Sequence, residues 1–157
     1  IDGLAITEVI KTILIIEFFS FAKTPLFNLS IILIVITIPL YYFNLRSNKK
    51  MFLGDGGSLF LGTIIACYVF FVLGPEYQFK SGLETNKFVF SILVILYPLI
   101  DLFRVFVIRI YNGGSPFVAD KNHIHHKVIN KVNKHPLALL LIIGVELLTV
   151  YFFINLF

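Results

Sequence analysis

The sequence has no tryptophan, one cysteine and one methionine in 157 residues, and only 14% of its side chains are charged. With Cys67 alone, neither a disulfide framework nor a thiolate metal site can form within the chain. The shortage of charge excludes more. A soluble domain of this length carries about a quarter charged residues, whereas here 58% of residues are hydrophobic and the mean hydropathy is +0.92. The chain does not open on methionine and shows no basic leader. Its opening "IDGLAITEVI" already enters an apolar run, so it reads as a piece of a longer protein.

What is present comes in blocks. Apolar segments cover roughly residues 4–22, 29–43, 58–73, 88–110 and 137–157. Such blocks mark bilayer spans, although the second and third are short against the ~20 residues that cross a ~30 Å hydrocarbon core. Polar/apolar alternation is absent, and a helix satisfies all its backbone groups in lipid. The expectation is therefore an all-α, polytopic transmembrane helix bundle with about five spans.

Charge sorts the loops. Residues 44–57 carry Arg46, Lys49 and Lys50, and residues 111–136 carry Lys121, Lys127, Lys131 and Lys134, with Arg109 just before. The other loops hold Lys23 alone, or offset Lys80 and Lys87 with Glu76 and Glu84. Five spans place both basic loops on one side, which the positive-inside rule makes cytoplasmic.

Three stretches carry candidate chemistry. The first is "FLGDGGSLFLG", residues 52–62. Its glycines permit unusual backbone, Ser58 reads as an N-cap, and a helix start attracts phosphate. Asp55 beside it could hold Mg²⁺ bridged to that phosphate. A plain turn with an acidic cap produces the same pattern.

The second is "SPFVADKNHIHHK", residues 115–127, with three of the four histidines. On a helix His123 and His126 lie about 60° apart, but His125 lies about 200° from His123. On a strand His126 opposes the other two. Only an irregular loop brings all three together, and the nearby lysines repel a cation. An anion or phosphate site, a zinc site, a pH sensor and a solvated loop all stay open on these residues.

The third is "YPLIDLFRVFVIR", residues 97–109. Asp101 and Arg104 share a helix face and can pair or line a cleft, since ionisable groups at membrane depth face the interior. Glu8 and Lys11 repeat the spacing as a structural pair. Glu17 and Glu146 stand isolated, and His135 reads as a surface residue.

Taken together, "MFLGDGGSLFLG", "YPLIDLFRVFVIR" and "SPFVADKNHIHHKV" resemble the signature segments of the bacterial polyprenyl-phosphate N-acetylhexosamine-1-phosphate transferases, in order along the chain. "IDGLA" resembles the end of that family's Asp-Gly-x-Asp-Gly-Leu-Ala segment. The His-x-His-His form is similar to the branch using UDP-GlcNAc-type donors rather than UDP-MurNAc-pentapeptide.

The resemblance implies that residues 1–157 are the C-terminal part of a membrane transferase in the bacterial cytoplasmic membrane, with its active site on the cytoplasmic side. Such an enzyme transfers HexNAc-1-phosphate from a UDP-N-acetylhexosamine to a polyprenyl phosphate and releases UMP. The partners implied are the polyprenyl phosphate lipid, the UDP-sugar and the membrane, with a homodimer as the usual assembly and no nucleic acid.

By motif, Asp55 would ligate Mg²⁺, or Mn²⁺ in its place, and Asp2 would sit at the substrate cleft near metal and sugar. His123, His125 and His126 would contact the donor's phosphates or nucleoside. Asp120, Lys121, Asn122 and Arg104 would support the site. The family's paired-aspartate motif lies upstream of "IDGLA", so these 157 residues alone are expected to be inactive. A non-catalytic anchor or degenerate homologue, and a transporter subunit motivated by Asp101 and Arg104, are the competing readings.

Overall fold

The structure, a computed structural model, describes residues 3–45, 51–81, 83, 85–115 and 123–156. These form helices only: α1 (Leu4–Phe19), α2 (Phe27–Leu45), α3 (Gly54–Leu73), α4 (Lys87–Val94), α5 (Leu96–Tyr111), α6 (Ile124–Val132) and α7 (His135–Leu156). The expected apolar blocks correspond to α1, α2, α3, α4 with α5, and α7. The addition is α6, which lies in the segment between the last two blocks.

The packing is that of a protein solvated by lipid. Large apolar side chains such as Leu29, Ile32, Val35, Leu59, Phe60, Leu140 and Leu148 are exposed, while Glu8, Lys11, Asp101 and Glu146 are buried. Charges at membrane depth face the interior because hydrocarbon cannot solvate them. Helix α2, helix α3 and residues His135–Ile154 of α7 are each long and apolar enough to cross a membrane.

The fourth block is not one straight helix. Helices α4 and α5 pass the same test together but meet at a 71° bend. Pro98 sits in the first turn of α5, where its missing N–H costs nothing and where it denies the Val94 carbonyl the i→i−4 bond a continuous helix would make.

Helix α1 is shorter, at 16 residues, and central. Its Ile6, Val9, Ile13 and Ile16 are fully buried, chiefly against α3 and α2. Between them, Lys11 Nζ donates to Glu8 Oε2 at 2.6 Å and to Glu146 Oε1 of α7 at 2.8 Å. Glu146 Oε1 also accepts from the Tyr97 N–H at 3.1 Å. That N–H belongs to the first turn of α5, where the bend leaves amides without a helical acceptor. So the expected Glu8–Lys11 pair is present, and Glu146, isolated in sequence, is its third member. Glu17 likewise gains partners, accepting from Thr24 Oγ1 at 2.7 Å and Ser30 Oγ at 2.6 Å.

The end of the bundle beyond Glu17 is closed by backbone pairing. The Phe21 N–H donates to the Gln78 carbonyl at 2.9 Å, and the Lys80 N–H to the Phe19 carbonyl at 3.0 Å. The Tyr77 hydroxyl donates to the Ile16 carbonyl at 2.8 Å, and its ring meets Phe71 and Phe79 edge-on and stacks with Phe90.

Removing one partner of a buried ion cluster costs about 3–5 kcal/mol because uncompensated charge remains, whereas replacing the cluster is far milder. Lys11→Met should therefore lower the thermal stability of the protein in detergent well below that of the triple variant Lys11→Met/Glu8→Gln/Glu146→Gln. Equal melting temperatures would contradict the role given to the ion cluster.

Candidate functional site

The opposite end of α1 is where the sequence-read motifs gather. Buried Asn44, near the end of α2, ties three segments. Its Oδ1 accepts from the Gly3 N–H, and its Nδ2 donates to the Met51 carbonyl at 2.8 Å. The start of α1, the end of α2 and the approach to α3 are thus held by one side chain. Gly3 has φ +76°, and a Cβ there would come within 3.0 Å of the Tyr41 ring, so both backbone and space call for glycine.

Beside this brace is a cavity of about 410 Å³ whose lining includes Gly3, Asn44, Gly54, Asp55 and Ser58. Ser58 is not the N-cap expected from the sequence. Gly54, at φ +67°, makes the left-handed turn that lets α3 begin four residues earlier. The Ser58 Oγ therefore bonds back to the Gly54 and Asp55 carbonyls, both at 3.0 Å. Asp55 stands exposed in the first turn, and its carboxylate has no ion-pair or hydrogen-bond partner among the described residues.

A second cavity, of about 330 Å³, is lined by residues that include Glu8, Tyr97, Asp101, His123 and His125. The two cavities adjoin, since Leu4, Ala5 and Ser58 line both. The Asp55 motif and the histidine motif, nearly 70 positions apart in sequence, thereby face one continuous region.

The three histidines do come together. His123 is the N-cap of α6, with φ −57° and ψ 147°, and His125 and His126 lie in the first turn. The rings of His123 and His125 stack at 5.3 Å between centroids, and those of His125 and His126 lie 4.4 Å apart. The helical spacing that would separate His123 from His125 does not apply, because the chain turns into the helix between them. Helix α6 then lays Ile124, Val128 and Val132 along a groove shared with α5 and α7.

Asp101 is the residue whose role the sequence did not disclose. Instead of turning to Arg104 on its own helix, its carboxylate accepts from His123 Nδ1 at 2.8 Å and from the Ile124 N–H at 2.7 Å. His125 Nδ1 is 3.8 Å away, buried and without a hydrogen bond. Donor atoms of Asp101, His123 and His125 lie within 4.8 Å of one another, a set that could hold a metal ion. Both Asp101 oxygens are already engaged, however. Among the described residues Asp55 offers an exposed carboxylate that could take a hard cation through oxygen. Arg104 is half-buried on α5. Asp2, Asp120, Lys121 and Asn122 lie outside the described residues.

The cluster is less cationic than a count of imidazoles suggests. Burial pushes His125 below the usual imidazole range, and His126 and His123 add to this against the pull of Asp101. At neutral pH His125 is a neutral imidazole, one nitrogen a donor and the other an acceptor.

Comparison with known proteins bears on this arrangement. Residues 1–73 match the model of the glycosyl transferase family 4. This is the family the motifs pointed to. A decaprenyl-phosphate N-acetylglucosaminephosphotransferase of Mycobacterium leprae is 33% identical over 98 residues, 59% of this chain and 25% of that protein. A probable undecaprenyl-phosphate N-acetylglucosaminyl 1-phosphate transferase of Bacillus subtilis is 31% identical over 123 residues, 78% of this chain and 32% of that protein. An undecaprenyl-phosphate alpha-N-acetylglucosaminyl 1-phosphate transferase of Pasteurella multocida is 34% identical over 101 residues, 62% of this chain and 27% of that protein. The chain thus spans between a quarter and a third of the length of these relatives. No solved structure matches it significantly.

The depressed His125 has a consequence for stability. An unfolded imidazole takes up its proton near 6.5 while the folded one resists to lower pH. The contribution of the neutral form is therefore complete above about pH 6.5 and is lost as pH falls through the depressed folded value. Thermal unfolding followed between pH 7 and 4 should show a steeper fall for the native protein than for His125→Gln, and parallel curves would argue against a buried neutral His125.

Proposed function

We propose that the chain is part of an enzyme that transfers N-acetylhexosamine-1-phosphate from a UDP-sugar to a polyprenyl phosphate at the cytoplasmic face of the bacterial membrane, an opening step of cell-envelope polysaccharide synthesis. The observation that carries this reading is the adjoining of the two cavities: a free carboxylate in the first turn of α3 on one side, and a cluster of imidazoles on the other. The names of the relatives supply the reaction class and the lipid.

In this reading an oxygen of the lipid phosphate attacks the sugar-proximal phosphorus of the donor. A new P–O bond forms, the bond from that phosphorus to the bridging oxygen breaks, and UMP leaves with the electron pair. Little covalent work falls to the protein, which positions the groups and neutralises charge. Asp55 would hold Mg²⁺, or Mn²⁺ in its place, and the metal would supply charge neutralisation on the diphosphate. The free N–H groups at the start of α3 favour the anionic phosphate beside it.

His123, His125 and His126 would contact the donor's phosphates or nucleoside. With His125 neutral, positive charge at the site would come from other basic side chains, such as Lys121 and Arg104 assigned by motif. By motif, Asp2 would border the cleft. Lys121, Asn122, Asp120 and Arg104 are assigned supporting roles by motif. The lipid would reach the reaction from the exposed apolar flank of the bundle and the nucleotide from the water at its basic end.

The test uses the full-length protein in membranes, with UDP-[³H]GlcNAc and polyprenyl phosphate. Metal-dependent appearance of lipid-linked label with stoichiometric UMP is expected, and chelation should abolish it. Asp55→Asn should lower kcat by about 10²-fold or more, the scale on which one preorganised electrostatic contact acts. Full activity in that variant would remove the metal role from Asp55, and failure to label lipid from any UDP-N-acetylhexosamine would remove the reaction.

A further inference from the structure

We infer that Asp101 is a positioning residue that sets both the orientation and the tautomer of His123, so that a single nitrogen of that ring, the unprotonated Nε2, is presented as an acceptor to an N–H or O–H group of the ligand. The ligand's identity rests on the function proposed above; the positioning does not.

The argument starts from α6. A helix start leaves N–H groups without acceptors, and the residue before it commonly supplies a side-chain cap. Here that residue is His123, which makes no such bond. The acceptor comes from another helix: Asp101 Oδ1 takes the Ile124 N–H at 2.7 Å. A carboxylate at this place is also favoured by the dipole of α6. The second oxygen, Oδ2, takes His123 Nδ1 at 2.8 Å.

An ionised carboxylate only accepts, so Nδ1 must carry the proton. Two bonds from one carboxylate fix the backbone at the first residue of α6 and the ring plane of the residue before it. Rotation of the imidazole about its side-chain bonds would break the second bond while the first holds. The Nδ1 edge is closed, and Nε2 is left for a ligand.

Asp101 is itself held. It is buried, and it lies one helical turn beyond Tyr97. The Tyr97 N–H is fixed on Glu146 Oε1, which Lys11 also grips. The position of Asp101 along α5 is thus referred to α1 and α7 rather than left to the bend between α4 and α5.

The experiment compares native full-length protein with Asp101→Asn and Asp101→Glu. Selective ¹⁵N-histidine labelling, assigned with His123→Gln, should report the His123 proton on Nδ1 in the native protein. In Asp101→Asn, whose amide turns a donor towards the ring, the proton should move to Nε2. The KM for the UDP-sugar should rise on the order of 10²-fold while the KM for the lipid phosphate stays within about twofold, the pattern of a misplaced donor-binding group.

Asp101→Glu keeps the acceptor at a displaced position. It should keep the proton on Nδ1 with a smaller rise in KM, and it serves alone if the asparagine variant does not fold. A His123 tautomer indifferent to Asp101, or equal losses in both KM values, would overturn the inference. If the protein transferred no sugar phosphate at all, the proposed reaction would fall, while the tautomer measurement would still decide the role of Asp101.

Discussion

The interior depends on one ammonium group. Lys11 stands between Glu8 and Glu146 in a bundle whose outside is hydrocarbon-like, and it is the contact that joins α1 to the last helix through charge. In a bilayer, apolar packing discriminates poorly between one helix arrangement and another, because lipid tails are as apolar as leucine. A buried ion cluster does discriminate: it can be satisfied in one arrangement and leaves charges stranded in others. The Glu146 oxygen that takes Lys11 also accepts from an open amide of α5, so the placement of a bent helix pair follows from the same cluster.

From there the constraint passes towards the site by a repeated device, a carboxylate on one helix accepting from the first turn of the next. Glu146 of α7 does this for α5, and Asp101 of α5 does it for α6. Helices α5 and α6 each begin at a carboxylate that belongs to another helix. This explains how a nine-residue helix such as α6, too short to be stable by itself, can present His123, His125 and His126 in a defined cluster. On the other flank Asn44 does the equivalent work with backbone groups, setting the approach to Asp55 relative to α1.

Much of this was legible in the sequence. The apolar blocks located the helices, and the Glu8–Lys11 spacing gave the pair that exists. The three motifs that look dispersed along the chain do converge on adjoining cavities. What was not legible has one physical origin. Glu146, Asp101 and Asn44 each bond to groups 41 residues or more away in sequence, or in the case of Asp101 to a helix start 23 residues on. No local pattern marks such partners. The bend at Ile95 was hidden inside a continuous apolar run, with Pro98 as its only trace. Ser58 was misread for the opposite reason: its local signal as an N-cap is real, but Gly54 starts the helix earlier and turns the hydroxyl to back-bonding.

The histidine segment shows why residue type alone leaves its chemistry open. Three imidazoles suit a metal, an anion or a pH switch equally well. The environment bears on these roles. Asp101 occupies one edge of His123, burial keeps His125 neutral, and an exposed carboxylate without a partner among the described residues stands on α3. In the proposed reading, a ligand held by this segment would meet fixed hydrogen-bonding groups more than mobile charge. Fixed groups need no reorganisation as negative charge shifts during a reaction, which is the condition under which electrostatic stabilisation contributes most to phosphoryl transfer. On that reading the arrangement would favour precise placement of a diphosphate over simple attraction to it.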